Sequence, residues 1–319
     1  MPVRTAFAAG NFAIELEGVS AGFVKSAQGG GASGEVVVEE SGTDGIAHKH
    51  LAGVKYEPII VTFPIGSTSA FHTWIADTLA RKYSSKSGAV ITTDFDFKER
   101  SRLNFFNAFI SEITFPALDV GSKDAGLLSV ELSPEYTRRQ PGSGARLASS
   151  GKEKQFSAAN FRLKIDKLDC TGVSRIEALP IRLRITESEV GERRGELRTP
   201  SLLEVPDLVV TLAESHAQSF HDWHNDFVIN GNNGEEAEKS GTLEYLSADL
   251  KQVLFSLRFR NLGIFRLTPE PAESGREGLS RVRAEMYCEA IGLQVGAAPV
   301  AEAPLRQVRD RVAIPRPPA

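Results

Sequence analysis

Histidine is the residue type most able to do chemistry in this chain, and it is scarce. The 319 residues include 6 histidines, and two of them form the short motif His48-Lys49-His50, which begins six positions after Gly42. Imidazole is a common metal ligand, but a metal site needs three or four ligands that converge on the ion. Because the spacing supplies only two, we interpret His48 and His50 as solvated side chains of a glycine-rich loop.

An alternative from another function class is kept for these two histidines. The order Gly42, His48, His50 is similar to the beginning of the cupin metal motif, in which a glutamate follows after three or four residues. Here Glu57 follows His50 after six intervening residues, and the second half of the chain has no H-x-H. The alternative is a degenerate two-domain cupin-like, metal-dependent enzyme.

The remaining histidines and the hydroxyl nucleophiles give no catalytic pattern. His216, His221 and His224 fall on a predicted helix, and only His221 has a counterpart in the first half, His72. We predict a structural role for that pair, beside a tryptophan ring. The chain has no G-x-S-x-G motif and no phosphate-binding glycine loop. The sequence predicts no catalytic residue, no metal ligand and no cofactor, and we expect a protein that is not an enzyme.

The composition is that of an ordinary globular protein, with 41% hydrophobic and 24% charged residues. No run of about 18 apolar residues could span a membrane, and the first thirty residues lack a secretion signal pattern. The net charge of −4 argues against a nucleic-acid binder, which needs clustered Lys and Arg. Cys170 and Cys288 are predicted to be buried free thiols in a reducing compartment. We expect a soluble protein made in the cytoplasm.

The chain contains a tandem repeat, seen most clearly around its two tryptophans. NFAIELEGVSAGF, from Asn11, matches NFRLKIDKLDCTGV, from Asn160, at an offset of 149 residues. The same offset gives the pairs Thr62 and Thr211, Phe71 and Phe220, His72 and His221, Trp74 and Trp223, and Asp77 and Asp226. Because both tryptophans are matched, we infer a duplicated unit of about 140 residues.

The duplication predicts two domains, residues 1–137 and 156–295. Residues 138–155 between them are rich in glycine, serine and charge, which predicts a linker. Residues 296–319 are rich in proline and alanine without a core pattern, which predicts a C-terminal tail that is mobile or docked on a partner.

Each unit is predicted to contain several strands and one helix. Alternation of apolar and polar residues is typical of strands with one buried face, and short apolar runs are typical of fully buried strands. The predicted strands are residues 12–16, 35–39, 59–61, 90–97, 103–115 and 127–136 in the first unit, and 161–165, 181–185, 208–210, 242–247, 252–267 and 281–293 in the second.

In one segment of each unit the spacing of apolar residues changes from the alternation of a strand to the spacing of a helix. Apolar residues recur at spacings of three and four from Phe71 to Leu79 and from Phe220 to Val228, which predicts one amphipathic helix of about 12–16 residues per unit. Ser67 or Thr68 is a suitable N-cap for the first helix. Core packing is predicted for both tryptophans. The pattern predicts a mainly β (α+β) fold of two tandem antiparallel β-sandwich or barrel domains, each with one α-helix.

The first unit also carries an ordered series of short motifs. They are the opening strand Phe12 to Gly18, a polar arm ending in Leu51-Ala52-Gly53, the pair Lys55-Tyr56, the apolar strand from Ile59 to Thr62, then Gly66, Trp74 and Phe106-Asn107-Ala108-Phe109. In this series residues 11–136 resemble the tail tube protein family of contractile phage tails and phage-tail-like injection systems, related in fold to the type VI secretion tube protein Hcp. The second unit departs from the series, with Ser215 in place of Gly66 and no L-x-G in its arm.

The resemblance implies a structural protein. The usual tube subunit has one such domain and closes as a hexameric ring, so three two-domain chains would form a trimeric, pseudo-hexameric ring. Stacked rings would form the inner tube of a virion tail or injection-system particle, with sheath and baseplate proteins as partners. DNA or effectors would pass through without sequence-specific binding, and the subunit would not insert into a membrane. A baseplate hub or tube initiator, which uses related two-domain trimers, is the alternative within the same machine.

Residues 41–54 are predicted to form an arm between subunits. The segment is polar, glycine-rich and longer than a hairpin turn requires. In the resembling family the matching arm reaches a neighbouring ring or subunit. Its apolar residues Ile46, Leu51 and Val54 would then be buried on another chain.

Overall fold

The computed structural model describes residues 10–39, 47–64, 69–148, 156–189, 196–270 and 280–295. The first unit contains β1 (Asn11–Leu16), β2 (Val19–Val24), β3 (Ser26–Gly29), β4 (Ala32–Glu39), β5 (His48–Tyr56), β6 (Ile59–Pro64), α1 (Ser69–Leu79), β7 (Lys86–Thr93), β8 (Glu99–Phe115), β9 (Leu118–Asp119), β10 (Leu127–Ser133) and β11 (Tyr136–Pro141). The second contains β12 (Phe161–Ile165), β13 (Val173–Ile176), β14 (Leu179–Glu189), β15 (Glu196–Glu204), β16 (Leu208–Ala213), α2 (Gln218–His224), β17 (Lys239–Leu246), β18 (Val253–Pro269) and β19 (Arg281–Val295). The predicted mainly β fold is confirmed.

The long strand β8 organises the first unit. Its first half pairs with β7 on one side and β11 on the other, and its second half pairs with β10. The strand order through it is β2-β1-β7-β8-β10-β6-β3, all antiparallel. Ser111 is an extra residue in the pairing with β10, a bulge that bends the strand so that its two halves serve different sheet surfaces.

The second unit repeats this arrangement around β18. The strand order is β12-β17-β18-β19-β16-β13, with β9 of the first unit added at the end. Phe265 is the extra residue in the pairing of β18 with β19, as Ser111 is in the first unit. Asn107 and Asn261 both have a positive φ, 49° and 55°. The two long strands therefore correspond residue by residue at an offset of 154.

Period-two alternation places the core. Ile59, Val61 and Phe63 of β6 are buried while the residues between them are half-exposed, and the apolar stripe of α1 packs against the same core. A single cluster of buried apolar side chains runs through both units. In the described part of the chain, neither helix has the length and apolar character needed to cross a lipid bilayer.

Some element boundaries differ from the predictions. The helices are shorter, with 11 residues in α1 and 7 in α2, and α2 continues as a π-helical turn over Asn225–Ile229. The predicted strand 90–97 ends at Thr93, because the Asp94 carboxylate accepts the backbone N–H groups of Asp96 and Lys98 and folds the chain into a turn. The proposed N-caps Ser67 and Thr68 lie outside the described residues.

The predicted linker is wrong for residues 138–148. Residues 138–141 continue β11 along β8, and Leu147 packs on the apolar outer face of the first sheet at Ala13, Ala89 and Ile91. These residues look like a linker in sequence because the strand lies at an edge and exposes its polar side chains. Residues 149–155 and 296–319 lie outside the described residues.

Candidate assembly interface

The two units join by exchanging strands. Residues Leu179 to Arg182 of β14 pair with Phe115 to Glu112 of β8, so the second unit adds a strand to the sheet of the first. In return β9 of the first unit pairs with β13 of the second. We call the hairpin β14–β15 arm 2 and residues 112–115 edge 1.

An aromatic cluster seals this contact. Tyr245 stacks on Phe255 with ring centroids 4.2 Å apart and lies 5.3 Å from Phe156 and 6.3 Å from Phe115. Burial raises the pKa of the Tyr245 hydroxyl far above its usual value, so the side chain stays neutral. His72 of α1 is buried next to Phe255, at 6.4 Å between rings. The contact has the aromatic, dehydrated character of a domain core.

Side-chain hydrogen bonds and an ion pair add to the backbone pairing between arm 2 and edge 1. The Arg182 guanidinium donates to the Glu112 carboxylate at 2.7 Å. Burial raises the pKa of Glu112, but the hydrogen bonds from Arg182 and Thr114 outweigh it and the pKa lies below its usual value. Further along the arm, Arg198 donates to the Ser133 hydroxyl at 2.8 Å.

The first unit has an equivalent hairpin, β4–β5, which we call arm 1. It forms a two-stranded sheet of its own, separate from the two larger sheets. Val36, Val38, Leu51 and Val54 are 57%, 46%, 70% and 44% exposed. Leu51 and Val54 fall in the predicted intersubunit arm, whereas Ile46 lies outside the described residues. Arm 1 presents a row of apolar side chains that the other described residues of the chain leave exposed.

The second unit has an equivalent edge, residues 266–269 of β18, which we call edge 2. β17 pairs with β18 only from Val253 to Leu262, and β19 occupies the opposite side of the strand. Among the described residues, no strand pairs with edge 2 on the side where arm 2 pairs with edge 1. Phe265, next to it, is 42% exposed.

The structure places the predicted histidines apart. His48 and His50 are exposed, as predicted, but they lie on strand β5 and not in a loop, and His50 Nδ1 is 3.8 Å from Glu39. His216 lies in a 3-10 turn before α2 and contacts Asp169 at 3.0 Å, and hydrogen bonds from Thr171 and His216 lower the pKa of Asp169 to about 2. Within the described residues, no three His, Cys, Asp or Glu side chains come together as metal ligands would.

The paired histidines and the cysteines have different surroundings. His72 is buried, as a structural role requires, while its counterpart His221 is half-buried and contacts Glu214 at 3.1 Å. Cys288 is buried and Cys170 half-buried, both as free thiols, so the prediction of burial holds fully only for Cys288. Burial raises the pKa of each thiol to about 11, which disfavours the reactive thiolate.

Both tryptophans are core residues, as predicted. Trp74 is 1% exposed and its indole N–H donates to the Ser84 carbonyl at 3.0 Å. Trp223 is 7% exposed, and the Lys239 ammonium lies 5.2 Å from its ring centre. Neither ring offers a face for ligand stacking.

Sequence reasoning missed the strand exchange and the pair Arg182–Glu112. Alternation over 181–185 predicted a strand with one buried face, and Ile181 and Leu183 are indeed buried. Alternation does not identify the partner strand, which lies about 70 residues earlier in the chain. The repeat itself was the available signal, since it predicts that two arms and two edges exist.

An exposed hairpin together with an open strand edge, as the described residues have, is typical of a structural subunit that assembles through shared strands. Residues 8–138 match the family described as T4-like virus tail tube protein gp19. The match covers the first unit, and the resemblance of residues 11–136 to the tail tube protein family is confirmed. A comparison with curated proteins found no match.

Solved structures similar to the chain come from injection systems. The sheath-tube complex of the extracellular contractile injection system PVC in its extended state shares 19% identity, with a TM-score of 0.39, over 44% of this chain and 94% of that one. The tube-terminating cap of the anti-feeding prophage shares 17% identity, with a TM-score of 0.39, over 44% and 95%. Hcp1 from Flavobacterium johnsoniae shares 12% identity, with a TM-score of 0.27, over 43% and 95%.

Proposed function

We propose that the chain is a structural subunit of the inner tube of a contractile phage tail or phage-tail-like injection system. The family match over residues 8–138 carries this proposal. The fold adds support, because the second unit repeats the strand order of the first around an equivalent long strand. Both units then serve as wall elements, and the chain has a structural role rather than an enzymatic one.

The subunits form a trimeric, pseudo-hexameric ring in this proposal. Among the residues that the structure describes in one chain, arm 2 occupies edge 1, arm 1 pairs with no strand of the two large sheets, and edge 2 has no partner strand on the side where arm 2 pairs with edge 1. An unused arm at one end and an unused edge at the other make a head-to-tail contact, and such contacts close into a ring when the rotation allows. Three chains supply six similar units.

Stacked rings form a conduit in this proposal, with sheath and baseplate proteins as outer partners and DNA or effectors as cargo. The net charge of −4 suits passage of an anionic polymer, because the wall has no overall attraction for it. The subunit is made in the cytoplasm and ends in the particle. A baseplate hub or tube initiator is the second candidate, favoured by the duplication, since two-domain trimers are the arrangement expected there.

Mass photometry of the full chain tests the ring. We expect a particle of three times 34.6 kDa, or stacks of it, and ring or tube images in negative stain. A closed hexamer of full-length chains, or a monomer at every concentration, would contradict the proposal. Short closed rings that never stack, even with a tube fragment as seed, would favour the hub or initiator.

Replacement of residues 42–52 by a short Gly-Ser linker tests the arm. We expect near-native circular dichroism, because Leu51, the large apolar residue of this segment that the structure describes, is 70% exposed. Because arm 1 makes the contact within the ring in this proposal, we also expect loss of ring closure and therefore of stacking into tubes. Unimpaired polymerisation of this variant would exclude the arm as an assembly element.

A further inference from the structure

We infer that arm 1 of one chain docks on edge 2 of a second copy, in the register that arm 2 uses on edge 1, and that reversed charges keep the two contacts from interchanging. The inference rests on the proposed self-assembly and adds its strand register and its specificity. The occupant of the open edge is thus a defined segment of another copy, residues 30–33, which are equivalent to residues 179–182 of arm 2.

The two arms are the same hairpin. In arm 2, Leu183 pairs with Leu203 and the next pair is Ile185 with Pro200, across a bulge. In arm 1, Gly34 pairs with Val54 and the next pair is Val36 with Leu51, across the same bulge. Every paired position differs by 149 residues, the offset of the duplication. Arm 1 is therefore preformed with the backbone geometry that fits an edge of this type.

Edge 1 and edge 2 also correspond to each other residue by residue. Offset 154 relates Glu112 to Arg266 and Ile113 to Leu267, and the bulges at Ser111 and Phe265 precede them in the same way. When the pairing of Arg182 with Glu112 and of Ile181 with Ile113 is transferred by these offsets, Ser33 lies opposite Arg266 and Ala32 opposite Leu267.

The exposed fractions of equivalent residues show which surfaces of arm 1 and edge 2 are uncovered. Ile113 on the occupied edge is 1% exposed and Phe115 is fully buried, whereas Leu267 and Pro269 on edge 2 are partly and largely exposed. On the arms, Leu203 is 7% exposed and its equivalent Val54 is 44% exposed. Arm 1 and edge 2 therefore both expose, at equivalent positions, the surface that the internal contact covers.

Charge decides which arm fits which edge. Arg182 of arm 2 is matched to Glu112 on edge 1, but edge 2 has Arg266 at the position of Glu112. Arm 2 on edge 2 would place Arg182 directly opposite Arg266, and like charges directly opposite destabilise a strand pair. Arm 1 has the neutral Ser33 at that position. Edge 2 therefore accommodates arm 1 better than arm 2.

An ion pair within each arm also has opposite signs of charge at equivalent positions. Arg184 pairs with Glu204 inside arm 2, and the equivalent pair in arm 1 is Glu35 with Lys55, at 3.3 Å. The sign at each position is exchanged between the two arms. Glu35 lies diagonally to Arg266 in the transferred register, so the acidic position of arm 1 faces the basic position of edge 2. A chain with this pattern orders its units alternately around a ring.

Disulfide trapping tests the register. In a background with Cys170→Ser and Cys288→Ala, Ser33→Cys is placed in one chain and Arg266→Cys in another, and the two are mixed and oxidised. We expect a covalent heterodimer, since directly opposed residues of an antiparallel pair bring their Cβ atoms within disulfide range. The in-chain control Arg182→Cys with Glu112→Cys should give a monomeric cross-link. The control pair Ser33→Cys with Val253→Cys, at the far end of β18, should give none.

Charge variants test the specificity. Ser33→Arg places an arginine opposite Arg266 and should weaken assembly about two- to fivefold at each contact. Adding Arg266→Glu should restore assembly, because the double variant recreates the pair Arg182–Glu112. Trimers or tubes that form without the cross-link between positions 33 and 266 would overturn this register and leave the tube proposal standing. A chain that stays monomeric and uncross-linked would overturn both.

Discussion

Arm 1 and arm 2 are the same hairpin in two environments, one exposed and one buried against a neighbouring unit. Arm 2 lies on the neighbouring unit, with Ile181, Leu183 and Leu203 in the core, and arm 1 projects from the sheet with Val36, Leu51 and Val54 exposed. Backbone pairing, bulge position and even the site of an internal ion pair agree between them. The difference lies in what covers them, so the internal contact of one chain is a direct template for the contact between chains.

The comparison separates two kinds of stabilisation. An apolar residue on arm 2 stabilises the folded chain, because its burial is complete within that chain. The equivalent residue on arm 1 can contribute only to association. Mutations at matched positions should therefore move different measurements, unfolding for one arm and assembly for the other.

The largest expected effect is in the cores of the two units. Trp74→Ala and Trp223→Ala should each lower the free energy of unfolding by about 3–5 kcal/mol through cavity formation. Trp74→Ala should cost more, because Trp74 is more fully buried and also loses its hydrogen bond to the Ser84 carbonyl. Urea unfolding followed by circular dichroism measures both. Trp74→Phe and Trp223→Phe are the controls, and an unchanged melting temperature for either alanine variant would show an exposed ring.

The next effect contrasts matched arm positions. Leu203→Ala should lower the free energy of unfolding by about 2–5 kcal/mol, since the side chain is 7% exposed. Val54→Ala, at the equivalent position and 44% exposed, should change it by less than about 0.5 kcal/mol. The same Val54→Ala variant should weaken assembly. Equal losses of stability at both positions would mean that the two arms are buried alike in the free chain.

A third test uses two opposed strand positions at which the large and the small residue have changed places between the units. Phe109 lies opposite Ser133 in the first unit, and Gly263 lies opposite Tyr287 in the second. A Cβ atom at position 263 would overlap the Tyr287 ring, so Gly263→Ala should cost about 1–3 kcal/mol by overpacking. Thermal unfolding measures the loss.

Rescue is the control for this test. In the Tyr287→Ser background Gly263→Ala should cost little further stability, because the ring that its Cβ would overlap is gone, and Gly263→Phe with Tyr287→Ser should transplant the pair of the first unit. If Gly263→Ala were as destabilising in the Tyr287→Ser background as in the wild-type chain, the glycine would be needed for its backbone and not for the ring.

Local pattern predicted more of the fold than of the interface. Period-two alternation located β1, β4 and their counterparts, and short apolar runs located β6 and β16, because burial of a strand face is a local property of the strand. It could not predict that Leu179 pairs with Phe115, since strand partners are chosen by contacts far apart in sequence. Residues 138–148 were misassigned for a related reason: an edge strand with polar side chains has the composition of a linker. His48 and His50 were placed in a loop because the partner strand of β5 was not identified.

The smallest expected effect concerns the pair Arg182–Glu112. The pKa of Glu112 lies below its usual value in the folded chain, so the pair contributes stability above the unfolded pKa of about 4.3 and loses it as the pH falls through the folded value. Because the Arg182 side chain is 63% exposed, the contribution should be about 0.5 kcal/mol. Urea unfolding at pH 7 and at pH 3 measures it.

Glu112→Gln isolates this contribution. The variant should lose about 0.5 kcal/mol at pH 7 and progressively less as the pH falls through the folded pKa of the wild-type carboxylate, which lies below its usual value. Glu35→Gln removes the reversed ion pair of arm 1 at the equivalent position and should leave unfolding of the free chain unchanged at both pH values, because arm 1 forms a sheet separate from those of the two units. A loss for Glu112→Gln that persisted undiminished at pH 3 would assign the effect to packing of the arm instead of charge. Charge would then no longer explain why arm 2 prefers edge 1, and the alternating order of units would have to come from shape alone.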